Sequence, residues 1–293
     1  KSDGIHFAGK TDLKAEKVRV SGNIVAQDHL TFRVKKDLKI HGQITSLKNF
    51  LVVGHDNQPV KRIQNEGGLS ALRHLMIYAD TYGSQSKANV GSLRAGLKLQ
   101  GLFRSSFHSA GVLDSGLFLN LHAKGDLHLS SSSRLRAVTA LLNAQNINIG
   151  FQGEYFCERS LCCDAEKSIN INGQNLLIKD RSMGSSAYLK SHAFWAKLIA
   201  NQREQARDIF SEHFSRSQLK IKREINKIPL GIHFSAPRQK IYLQDFKVNS
   251  GNITMLSRQL HLDSALNHRS AYASGGYVYL LSGESLSVLK DIS

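Results

Sequence analysis

The sequence predicts an all-β fold, a parallel β-helix (β-solenoid) with roughly 20-residue rungs and one helical insertion. Three observations carry this. The first is a phrase that returns after 20 residues. "EKVRVSGNIVA" (16–26) lies over "KDLKIHGQITS" (36–46), aligning Val18 with Leu38, Val20 with Ile40, Gly22 with Gly42 and Ile24 with Ile44. The second is that each unit carries short alternating apolar segments ended by Gly, Asn, Asp or Ser, the pattern of half-buried strands. The third is that one residue type recurs at one phase, as Gly22 and Gly42 do. Stacked rungs ~4.8 Å apart explain such recurrence, because equivalent positions meet the same steric demand. A unit of about twenty residues is too short for a domain. Its corners read as DSG and SGN types rather than the two-residue turns of hairpins.

Taken in order, "HLTFRV" (29–34) and "NFLVVG" (49–54) form a second phrase, again 20 residues apart. Residues 55–70 break the period and read as a loop bulging from a rung. "AGLKLQGLFRS" (95–105) aligns with the first phrase through Leu97, Leu99, Gly101 and Phe103. "GLFLNLHA" (116–123) and "VTALLNA" (138–144) continue the second phrase. "GDLHLSSSSRL" (125–135), "QNINIGFQG" (145–153) and "KSININGQNLLI" (167–178) continue the first.

Residues 193–228 differ in kind. Trp195, Leu198, Ile199, Ala206, Ile209, Phe210 and Phe214 recur at helical spacing among charges, which predicts a helix over about 193–215. The tail "SQLKIKREI" reads equally as strand. The segment either pads the solenoid or projects toward a partner, and an amphipathic face favours padding. Rungs then occupy 1–192 and 229–293, with the insertion or cap between them. The tetrapeptide GIHF occurs at 4–7 and 231–234, each time followed by SGNI (21–24 and 250–253). This places Gly4 and Gly231 at equivalent corners, with the histidines outward.

The phrase at 17–26 and 37–46, with its partner strands, resembles the repeats of the filamentous haemagglutinin family, the large secreted exoproteins of bacterial two-partner secretion. "DLKIHGQITS" (37–46) follows that family's x-L-x-I-x-G-x-I-x-S pattern. The resemblance covers roughly 10–54, 91–180 and 240–290, and residues 193–228 fall outside it. It implies a right-handed coil, a secreted or bacterial cell-surface location, and an outer-membrane transporter as partner of the parent protein. Members act as adhesins, carry toxins for contact-dependent inhibition, or serve as haemolysins. The repeat supplies no catalytic residue.

The chain has 293 residues, 41% hydrophobic, enough for a sizeable core. It starts at Lys1, which reads as a processed protein or a cut fragment. No apolar run approaches the ~18 residues of a membrane span. Formal net charge is +16, which favours acidic glycan, an anionic cell surface or another polyanion as partner. Residues 1–150 hold 20 Lys and Arg against 10 Asp and Glu, and residues 151–293 hold 19 against 13. This even spread argues against a dedicated nucleic-acid module. On a strand, residues two apart share a face. Arg33, Lys35, Lys39 and His41 therefore point one way, with Lys17 and Arg19 one rung off. With Lys36, Arg238 and Lys240 these cations are the candidate polyanion-binding residues; the alternative is a solvated face.

Catalytic readings are weaker. β-Helical polysaccharide lyases and hydrolases need clustered carboxylates; no two acids read as sharing an outward strand face at i, i+2, and the nearest grouping reads as Asp12 with Glu16. His122 with His128, and His261 with His268, are close enough in sequence to stack, although a polar residue on a solvated strand explains each. Cys157, Cys162 and Cys163 are too few and too close for a disulfide framework. They read as one local Cys157–Cys162 bridge or as small buried residues, and zinc lacks a fourth ligand. The expectation is thus a non-enzymatic structural or adhesive segment with no cofactor or metal. A β-helical polysaccharide enzyme and the delivery stalk of a contact-dependent toxin are the alternatives.

Overall fold

The computed structural model describes residues 4–84, 91–150, 154–172, 176–178, 219–228, 230–244, 248–249, 252–263, 266–267 and 277–289. They form a parallel β-solenoid of about 10 turns, with rungs of about 21 residues. Each layer has three sides. Ile5–Phe7 is the first side of layer 1, and Thr11–Val20 makes its second and third sides. A register shift between Ala15 and Lys17 marks the corner between those two. The same plan repeats in layers 2 to 6, at 24–40, 43–65, 68–83, 92–109 and 112–129. Layers 7 and 8 are the long strands Arg134–Ile149 and Glu154–Asn172, which run through all three sides.

The repeat read from the sequence is the register of this stack. Val18 pairs with Leu38, Val20 with Ile40 and Ile24 with Ile44. Leu30 pairs with Phe50 and Leu119 with Ala140. Inward positions therefore line up as apolar columns. One runs Leu38, Ile63, Tyr82, Phe107, Leu127, Ile147 and Ile169, each at most 1% exposed. Burial of such side chains gives roughly 1.5–3 kcal/mol each, and every layer adds several. In the middle of the stack Tyr82 and Phe107 lie parallel with centroids 4.8 Å apart, and Phe103 packs on Phe107 at the same distance.

Two expectations change here. The loop at 55–70 shrinks to a bulge around the 3-10 turn His55–Asn57, and Val60–Asn65 and Gly68–Ala71 are strands of the stack. Gly101 is not a corner glycine. It pairs with Ile77 and Leu121 on the second side, where the ring of Phe103 fills the place of its absent side chain. Gly22 and Gly42 do share a corner, and Gly67 joins them. A Cβ on Gly42 would lie 1.9 Å from the carbonyl oxygen of Gly22, and one on Gly67 1.9 Å from that of Gly42. The corner tightens until backbone stacks on backbone.

The two GIHF copies occupy different sides. Ile5 lies on the first side, whereas Ile232 continues the second-side column through Leu161. In both copies the isoleucine pairs with the isoleucine of the following SGNI, Ile24 or Ile253. In both, the glycine faces the carbonyl of the SGNI asparagine, Asn23 or Asn252. The phrase therefore encodes one full turn, begun at either of two corners. At Gly231 the positive φ of 104° adds a conformational reason for glycine.

Residues 179–230 interrupt layer 9 between its first side, Leu176–Ile178, and the strand Gly231–Gln244 that makes its second and third sides. Both strands pair with layers 8 and 10, so the stack continues across the interruption. The helix expected at 193–215 lies outside the described residues. The tail expected as helix or strand is helical at 219–225. Ile221 and Ile225, one helical turn apart, bury themselves on Leu97, Leu117, Phe118 and Val138 of layers 5 to 7. Glu224 pairs with Lys98 at 3.0 Å. The described end of the insertion thus pads the solenoid.

Candidate functional site

The eight predicted cations fall on two stretches of one edge, the corner between the second and third sides. The first stretch spans layers 1 and 2. Arg33 is on the second side, Lys35 and Lys36 are at the corner, and Lys39 is on the third side. Arg33, Lys35 and Lys39, read together with His41 as pointing one way, therefore turn around a corner. His41 lies beyond them, its Nδ1 3.0 Å from Glu66. Two of the eight are neutralised here. Arg33 Nε donates to Asp12 Oδ2 at 2.9 Å, and Lys36 binds Glu16 at 2.5 Å. That contact, through its hydrogen bond first, holds the Glu16 carboxyl below its ordinary range.

Lys17, Arg19, Lys35 and Lys39 are exposed and form no ion pair among the described residues. Lys17 has Asp37 as register partner, but that carboxylate is held by Arg62 at 2.9 Å. Arg19 and Lys39 are partners of like charge. Residues 4–65 carry 11 Lys and Arg against 5 Asp and Glu.

Arg238 and Lys240 sit at the same edge in layer 9, eight layers and ~38 Å away. Arg238 is paired with Glu166, and Lys240 has no ion pair among the described residues. Between the stretches the edge exposes Lys61, Arg104 and Lys124 in layers 3, 5 and 6. Arg104 lies over the Tyr78 ring and donates to its hydroxyl at 3.1 Å.

Beside Arg238 the edge opens into a cleft of about 400 Å³ crossing layers 6 to 9. Its polar lining is His122, Lys124, Asn143, Gln145, Asp164, Glu166 and Arg238. Asp164 and Glu166 flank the buried Ala165 and are both exposed, so they share the outward face. This pair is tighter than Asp12 with Glu16 and was legible as D-A-E; its spacing is the signal that sequence reasoning missed. Asn143 Nδ2 donates to Asp164 Oδ2 at 3.3 Å. No group of three or more His, Cys, Asp or Glu suited to a metal occurs among the described residues.

The histidines part company. A corner separates His122 from His128, and His128 lies instead against His108 of the layer before, centroids 5.5 Å apart and rings tilted by 44°. Burial, then the His108 charge, lowers the His128 imidazole. His261 stacks on Tyr242 at 4.7 Å, and His268 lies outside the described residues.

The cysteines form no bridge; all three are free thiols. Cys157 takes the place of Ala137 in its column, so it is a small buried residue. Cys162 is one corner on and points outward beside His233, while Cys163 points into the core. Burial pushes the Cys162 thiol up to about 12 and raises the other two well above the ordinary range. None is set up as a nucleophile.

No helix among the described residues is long and apolar enough to cross a membrane. The resemblance to haemagglutinin repeats rests on the repeat phrase alone: no protein-family model, curated protein or solved structure matches the chain.

Proposed function

We propose that this chain is a non-enzymatic, rod-like binding segment of a secreted or cell-surface protein, and that its basic edge holds an acidic glycan or another linear polyanion. The observation that carries this reading is the group Lys17, Arg19, Lys35 and Lys39 on two adjacent layers. All four are exposed and without ion pairs among the described residues, and Arg19 is stacked on Lys39. Like charges in direct register cost stability, and a bound anion relieves that cost. The layer spacing repeats along an axis, as the charges of a linear polyanion do. Delivery of a toxin carried elsewhere on the parent chain is compatible with the same rod.

Heparin binding at rising salt tests the reading. The logarithm of affinity should fall linearly with the logarithm of salt, and replacing the four cations with serine should flatten the slope by about one per lost contact. Binding with no dependence on salt sinks it. The enzyme alternative draws on Asp164 and Glu166. A polysaccharide substrate screen with and without calcium separates the two readings, since turnover of any substrate favours the enzyme.

A further inference from the structure

The cleft at layers 6 to 9 is a concave stretch of the basic edge that is lined by both carboxylates and cations. Asp164 and Glu166 project from layer 8, Lys124 stands on one side in layer 6, and Arg238 stands on the other in layer 9. Glu166 is held by Arg238, and Asp164 gives one acceptor position to Asn143. An ionised carboxylate offers about four such positions, so Asp164 retains acceptors toward the cleft. His122 and Gln145 add side chains that can donate and accept.

This combination selects a ligand chemistry. A polyphosphate or phosphodiester chain carries anionic oxygens without donors at that spacing, so it meets Lys124 and Arg238 favourably but Asp164 and Glu166 unfavourably. A sugar ring with an acidic substituent satisfies both. Its hydroxyls donate to the carboxylate and amide oxygens, while its carboxylate or sulfate faces Lys124 and Arg238. The volume of about 400 Å³ suits a small ligand or a short stretch of chain. Nucleic-acid grooves add exposed aromatic faces for bases, whereas among the described residues no Phe, Tyr or Trp lines this cleft, and His122 is its one aromatic ring.

We infer that the cleft formed by Lys124, Asn143, Asp164, Glu166 and Arg238 is a saccharide-reading subsite for an acidic polysaccharide. It confers preference for sugar-based over phosphate-based polyanions. The inference rests on the polyanion reading above and narrows it to one ligand class.

The test compares two probes of matched charge, a heparin-derived oligosaccharide and inorganic polyphosphate, by calorimetry or fluorescence anisotropy. Asp164→Asn removes a charge from an exposed site and leaves the core untouched. The amide oxygen that Asp164→Asn introduces still accepts from a ligand hydroxyl but without the charge, and this weaker bond should lower oligosaccharide affinity on the order of threefold. Polyphosphate binding should stay constant or tighten, because a repelling charge has gone. If Asp164→Asn tightens both probes equally, or leaves both unchanged, the carboxylate is not reading hydroxyls and the inference fails. A Lys35→Ser/Lys39→Ser variant probes the distant basic stretch separately. It should weaken both probes, and unchanged affinity for both would sink the reading of layers 1 and 2 without touching the Asp164 result.

Discussion

Arg19 and Lys39 are register partners on neighbouring layers, both exposed and neither joined to a carboxylate among the described residues. Lys39→Glu replaces this like-charge pair with an opposite-charge pair. Cross-strand pairs of opposite sign contribute ~0.5 kcal/mol. Urea unfolding should therefore show a slightly higher midpoint, while heparin elutes the variant at lower salt. A lower midpoint would mean that the two side chains do not face each other as their register places them.

Gly22 and Gly42 make a matched pair of substitutions. A Cβ on Gly42 meets the Gly22 carbonyl oxygen at 1.9 Å, whereas one on Gly22 meets nothing within 4 Å. Gly42→Ala should destabilise by at least ~2 kcal/mol, because backbone must move. Gly22→Ala should be neutral or stabilise by up to ~0.5 kcal/mol through the unfolded chain. Denaturation midpoints of the two variants decide it, and equal effects would count against the glycine stack.

These glycines also show what was legible in the sequence. Where each turn took 20 or 21 residues, the aligned residues are the stacked residues, as with Leu30 on Phe50 and Phe118 on Thr139. Where a corner changed length, the alignment failed. The bulge at His55–Asn57 hid two strands, and alignment of Gly101 with Gly42 set it on the wrong side. The cations were found as a group, but strand alternation assumes one flat face. The corner at Lys35 and Lys36 bends that face, and cross-layer partners such as Asp12 for Arg33 are 21 residues away. The cleft was illegible for the same reason: Lys124, Asp164 and Arg238 meet only after the coil has turned three times.

Tyr82 tests the polar insertion in the core. Asn65, fully buried, takes a column position otherwise held by Ile40. It donates to the Tyr82 hydroxyl at 2.9 Å, and that hydroxyl donates to the Gly91 carbonyl at 3.3 Å. Tyr82→Phe keeps the ring stack on Phe107 and removes both bonds. A loss of about 1–3 kcal/mol in chemical denaturation is expected. A variant as stable as the parent would show that the other bonds of Asn65, from Nδ2 to the Ser92 carbonyl at 3.3 Å and from the Gly67 N–H to Oδ1 at 3.1 Å, satisfy the amide by themselves.

His74 sets an acid limit. Burial first, then the charges of Arg73 and Lys98, push its imidazole down to about 4, with Glu224 opposing and Lys220 adding slightly. The unfolded chain takes up this proton near 6.5 and the folded chain only near 4. In that window the unfolded state binds more protons, so stability is full above 6.5 and falls as the pH drops toward 4. The difference is on the order of 3 kcal/mol. Urea midpoints at pH 7.5 and 4.5 should therefore fall further for the parent than for His74→Gln, which has no such proton. Equal falls would show that other groups carry the acid sensitivity.

The most direct measurement of the central claim is the salt concentration at which the chain leaves a heparin column. It should be compared with that of a Lys17→Ser/Arg19→Ser/Lys35→Ser/Lys39→Ser variant of unchanged circular dichroism. The basic edge predicts salt-dependent retention of the parent and elution of the variant at clearly lower salt. Retention of both at the same salt, or passage of the parent without retention, would contradict it.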